Sequence, residues 1–126
     1  MNSPDVGSPD TTRPRVSRTV PTSGATGLGP NANAKATFSE DMKASTINGQ
    51  TFELFKHGST TKVGAVVSYD ASKDRAKLDP NNPLKRGVTY KAVVTTSATD
   101  EAGNRLDQRP GVSGLQQKSW TFTISN

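Results

Sequence analysis

The sequence predicts an all-β sandwich, and three observations carry that prediction. Apolar and polar residues alternate over short runs bounded by turn residues, most clearly in residues 119–124. Helical periodicity is not sustained over as many as about ten residues anywhere. Only 30% of the 126 residues are apolar and 6% aromatic, with 11 Gly and 8 Pro, which suits a thin two-layer β structure better than a thick helical core. A chain of this length makes one domain of ordinary size.

Residues 1–13 hold Pro, Ser, Asp and Thr, with Val6 as the one large aliphatic, and bury too little surface to offset their ordering entropy. They are expected to form a disordered linker or tail, leaving a domain over 14–126. The first strand, 15–20, is closed by Pro21, and TSGATGLGPNAN follows as a loop. Ala34, Ala36 and Phe38 share one face of a second strand, opposite Lys35 and Thr37. Residues 39–50 connect through at most one helical turn and end on the turn pair Asn48-Gly49. The third strand, 51–56, points Phe52 and Leu54 to one side, and the fourth, 63–69, aligns Val63, Ala65, Val67 and Tyr69. A fifth, 75–78, alternates charge with Ala76 and Leu78. The sixth, 88–97, places Val88, Tyr90, Ala92 and Val94 inward and Thr89, Lys91, Val93 and Thr95 outward. The seventh, 119–124, sets Trp120, Phe122 and Ile124 against Ser119, Thr121 and Thr123. These strands fit a seven-stranded immunoglobulin-like sandwich. Its expected core is Phe38, Phe52, Leu54, Val67, Leu78, Tyr90, Val94, Trp120 and Phe122.

The order of PTSGATGLGPNANAKATFSEDM, VSYDASKDRAKLDPNNPLKRGVTYKAVV, TDEAGNRL and WTFTI resembles the bacterial Ig-like domains typified by the S-layer protein SbsA, over residues 14–126. The resemblance implies a module of a cell-surface or secreted protein, repeated as a spacer or set beside catalytic or adhesive domains. The same segments carry physical readings of their own. Leu84, Gly87 and Tyr90 have the pattern of a tyrosine corner, in which the phenol bonds back to upstream backbone. Ser39 or Asp41 is placed to cap the turn after Phe38.

Catalysis lacks its ingredients. There is no cysteine and one histidine, His57, so thiol nucleophiles, disulfides and the usual zinc ligand sets are excluded and a hydrolytic triad has no evident base. No GxxxxGK or GxGxxG is present. The carboxylate pairs Glu40/Asp41 and Asp70/Asp74 lack the dry cleft that acid–base work needs. No enzyme activity is expected. The formal charge of +5 comes from cations in runs no longer than two, so no nucleic-acid role is expected, and no apolar run approaches a membrane span.

The run TDEAGNRLD, residues 99–107, admits two readings. As a calcium loop it would use Asp100, Glu101, Asn104 and Asp107, with Glu40 and Asp41 from another loop, although it matches no EF-hand spacing. As a turn it uses Gly103-Asn104 at the bend, Asp100 in an Asx-type bond and Leu106 returning to the core, which leaves Glu101 and Asp107 without a structural duty. Segments TFSEDM, LDPNNPLKRGVTYKAVV and WTFTI are also similar to the periplasmic copper carriers. That resemblance implies a site built on an N-terminal His and an Asp-x-His, but the matching loop reads Asp100-Glu101-Ala102 and offers no imidazole.

The expected role is therefore a non-catalytic module at the cell surface or outside the cell, monomeric in isolation and partnered by neighbouring domains. The alternative is an accessory binder of cell-wall polysaccharide or protein. Phe55, directed opposite to Phe52 and Leu54 and close to His57, is the first patch such a binder would use.

Overall fold

A computed structural model describes residues 12–126. The expected tail over residues 1–13 lies, save its last two residues, outside the described part. Eight strands form two four-stranded sheets: β1 (Val16–Val20), β3 (Ala34–Phe38), β6 (Arg75–Pro80) and β5 (Ala65–Asp70) in one, and β2 (Ala25–Leu28), β8 (Lys118–Ile124), β7 (Thr89–Val94) and β4 (Phe52–Lys56) in the other. A 3-10 turn at Ala44–Thr46 is the single helical turn that the connecting segment allows.

The all-β sandwich is present, with one strand more than the seven read from sequence. The extra strand is β2, hidden in a Gly-rich segment with no alternation. It is made by backbone pairing with β8, in parallel at Ala25–Phe122 and Leu28–Ile124. Between β1 and β2 lies a cis Val20–Pro21 bond, and there the chain crosses from one sheet to the other. Every other pairing is antiparallel.

The two inner faces differ in size. The two central strands of the first sheet contribute Ala34, Ala36 and Ala76, all fully buried, beside Phe38 and Leu78. The second sheet contributes Phe52, Tyr90, Trp120 and Phe122, each at most 3% exposed, around Ala92. Small residues opposite large rings let the layers interdigitate at interior density. Within the second sheet Ala92 lies between Leu54 and Trp120 in register, and the rings of Phe52 and Trp120 stand 6.0 Å apart. Trp120 Nε1 is buried and finds no hydrogen-bond partner among the described residues.

Two expectations about facing need correction. Val93, placed outward by alternation, is buried, because β7 is an interior strand of its sheet and Val93 lies between Glu53 of β4 and Ser119 of β8. Val67 is only half-buried, because β5 is an edge strand and Val67 lines an open cleft between the sheets, with Phe52, Val63, Ala65 and Leu78. The sixth expected strand also ends early. After Val94 the chain leaves β7, with the Thr95 N–H donating to the Thr51 carbonyl at 2.8 Å.

Candidate functional site

The 99–107 loop is built as a turn. The Asp100 N–H donates to the Asn104 carbonyl and the Gly103 N–H to the Asp100 carbonyl, both at 3.0 Å, with Gly103 at φ +91°. The buried Asp100 carboxylate accepts from the Asn104 N–H at 2.8 Å through one oxygen and from Asn104 Nδ2 at 3.0 Å through the other. Leu106 is fully buried, as the turn reading requires. Asp107, without a duty in the sequence reading, has one: its Oδ1 accepts from the Arg109 and Gln116 N–H groups at 3.2 and 3.1 Å, closing the loop that leads to β8. Glu101 alone of the four calcium candidates is exposed. Among the described residues no group of three or more His, Cys, Asp or Glu side chains is placed to hold a metal.

At the opposite end stands the tyrosine corner. Tyr90 is buried, and its hydroxyl accepts from the Lys85 N–H at 2.9 Å. Gly87 adopts φ +76°, and a Cβ there would lie 2.5 Å from Asn126 Oδ1, so the corner depends on glycine. Its N–H donates to the Ile124 carbonyl at 3.0 Å, tying the corner to the end of β8.

Sequence spacing did not reveal the arrangement around Tyr69. Its hydroxyl accepts from the Met42 N–H at 2.9 Å and lies 3.5 Å from an Asp74 oxygen. Asp41 and Asp74, from different loops, face each other within hydrogen-bonding reach, and this contact, with some burial and like-charge repulsion, raises the Asp74 carboxyl above its ordinary range. Burial is the main cause that raises the Tyr69 phenol. The carboxylates that the structure brings together, Asp41 and Asp74, come from two different pairs of the sequence reading. Asp70 instead binds Ser72, whose Oγ at 2.6 Å is the main cause that lowers its carboxyl.

Phe55 and His57 do come together. They share a shallow depression of about 590 Å³ on the outer face of the β2-β8-β7-β4 sheet, with Glu53, Lys91, Val93 and Gln117. Phe55 pairs in register with Lys91, so its half-buried ring lies on a surface with a cation beside it and an exposed imidazole two residues on.

No curated protein matches the chain in sequence. Solved structures of similar fold include the bacterial S-layer protein SbsC, at 20% identity with a TM-score of 0.63 over 90% of this chain, for its N-terminal part. The chain spans 14% of a longer SbsC structure. The methionine-rich copper resistance protein PcoC from Escherichia coli is similar at 19% identity and a TM-score of 0.68, covering 90% of this chain and all of that one. CopC from Methylosinus trichosporium OB3b follows at 12% identity and 0.66, covering 89% and 93%. At these identities the likeness concerns the fold. The fold of these copper resistance structures is present here, but the loop at Asp100 has no His and its carboxylate is engaged by Asn104. Residues 10–124 match the family of bacterial Ig-like domains, and the chain belongs to that family.

Proposed function

We propose that the chain is a non-catalytic spacer module of a bacterial surface or secreted protein, of the kind typified by SbsA, joined to neighbouring domains at its two ends. The observation that carries this reading is where the chain enters and leaves the sandwich. At one end the Asp107 N–H donates to the Pro14 carbonyl, just before β1. At the other, the Ser125 N–H donates to the Leu28 carbonyl and Gly87 meets Ile124, just after β8. Entry and exit are thus separated by the length of β8, roughly 20 Å for its extended backbone. Copies linked through these ends extend as a chain. The S-layer neighbours, in which the similar unit is one part of a much longer protein, support the same reading. Two copies fused tail to head should give, by small-angle X-ray scattering, a particle about twice as long as one copy. A compact side-by-side dimer shape would contradict the reading, as would saturable hydrolysis of any substrate.

A metal is no part of this proposal, since the Asp100 and Asp107 carboxylates already serve the turn and the loop to β8. Millimolar Ca²⁺ should produce no calorimetric heat and no melting shift.

A second reading, an accessory binder of polysaccharide or protein, is favoured by the Phe55–His57 depression. An aromatic ring beside a cation and an imidazole offers stacking and hydrogen bonding to a sugar. Glycan-array binding lost in Phe55→Ala supports it, and equal binding by the variant removes Phe55 from the account.

A further inference from the structure

We propose that the solvent face of the β1-β3-β6-β5 sheet docks an anionic polysaccharide, a glycan bearing carboxylate or phosphate groups. The cations involved are dispersed in sequence and gathered by register. Lys35 lies directly across from Lys77, with Val20 and Ser68 continuing the row on the outer strands. In the neighbouring row Arg18 faces Thr37, Thr37 faces Arg75, and Arg75 faces Asp70. Lys35 and Thr37 alternate with the buried Ala34, Ala36 and Phe38, so both rows point away from the core. Arg18, Lys35, Arg75 and Lys77 therefore occupy one face. Its carboxylates are Asp70, in these rows, and Asp79, across from Val66 one row further along.

Neutralisation within the fold is slight. The one ion pair among the described residues joins Lys62 and Glu53, outside this face. Asp70 is held at hydrogen-bonding distance by the Ser72 N–H and Oγ at 3.0 and 2.6 Å, and the Lys73 and Arg75 charges act on it only as lesser influences, without a close ion pair. Lys35, Lys77 and Arg18 have no carboxylate opposite them. Lys35, Arg75 and Lys77 line a depression of about 260 Å³ with Ser68, Tyr69 and Asp70. Like charges directly opposite weaken a strand pair. An anion bridging Lys35 and Lys77, whose backbones lie about 5 Å apart, relieves that repulsion and adds to fold stability by mass action. A glycan fits better than nucleic acid. The two rows carry no aromatic side chain on which a base stacks, and the flat sheet presents neither helix nor ribbon to a groove.

Isothermal titration of the full chain at low salt tests this, with oligogalacturonate and a glycerol-phosphate polymer as probes and dextran and duplex DNA beside them. The expected result is binding to at least one anionic glycan, weakening as salt rises, with no heat from dextran. The arm that binds more tightly identifies carboxylate or phosphate as the group recognised. The double variant Lys35→Ala/Lys77→Ala should bind roughly five- to tenfold more weakly, with a melting temperature equal to or above that of the parent. Lys85→Ala, off this face, should bind unchanged. No binding to either glycan, undiminished binding by the double variant, or tighter binding of duplex DNA overturns the proposal. So does a double variant that melts lower or fails to fold, because the opposed lysines would then be serving the fold.

Discussion

Single residues at the two ends of the sandwich carry disproportionate weight. Tyr90→Phe removes the acceptor of the Lys85 N–H and leaves that donor unpaired beside a buried ring, so we expect a loss of about 1–3 kcal/mol, read from denaturant unfolding. Gly87→Ala and Gly103→Ala both place an alanine at positive φ, at a cost of about 1–2 kcal/mol each. At Gly87 the new Cβ would also meet Asn126 Oδ1, the end of an exposed side chain that can swing away, so the two variants should lose similar amounts. The Asp41–Asp74 contact predicts a pH dependence. A carboxyl raised on folding binds its proton more tightly in the native state, so its stabilisation is full below the ordinary value of 3.8 and is lost as pH climbs through the raised value. Asp74→Asn, which also suits the residue's φ of +52°, should melt higher than the parent near pH 7 and lose that advantage near pH 3. Equal melting differences at both pH values would dissociate the pair from stability. Tyr90 and Gly87 were legible in the sequence because a corner has a fixed local spacing. The Tyr69–Asp74–Asp41 contact was not, since it joins residues about thirty positions apart through loops whose path no local pattern specifies.

At the scale of elements, period-two alternation located every strand whose one face is buried and missed β2, whose place is set by backbone pairing with β8 and by Ala25 and Leu28 at its two ends packing on the core. It also misplaced Val93 and Val67 for opposite reasons. On an interior strand an outward side chain is flanked in register on both sides, as Val93 is by Glu53 and Ser119, whereas an edge strand has a neighbour on one side only and is covered incompletely even on its inner face. Three fully buried alanines on the two central strands of the first sheet, set against a layer of rings from the second, make a sharp prediction. Ala36→Leu adds bulk where the aromatic layer already fills the space and should cost about 1–3 kcal/mol by overpacking. A solvent-side change on the same strand, Thr37→Val, should stay within about 0.5 kcal/mol. Matching losses for both variants would mean that the layers do not interlock as described.

Across the whole molecule, the sheets, the corner and the 99–107 turn place the chain's entry and exit at opposite ends and leave both outer faces open. Each outer face has a distinct chemistry: an aromatic and imidazole patch on one, an excess of cations on the other. Composition indicated a thin two-layer domain and the absence of catalytic ligands, and neither needs the fold. The gathering of Arg18, Lys35, Arg75 and Lys77 does need it, because scattered cations become a face only through strand register. Tension applied between the ends loads β1 through its pair with β3 and β8 through its pairs with β7 and β2, so these hydrogen bonds are sheared along the strands. Single-molecule pulling on the chain held between two handle domains tests the spacer account most directly. The account predicts one discrete unfolding event, with a contour gain of roughly 3.5 Å for each of the described residues. Gradual extension without a discrete event, or a series of small steps, would contradict it.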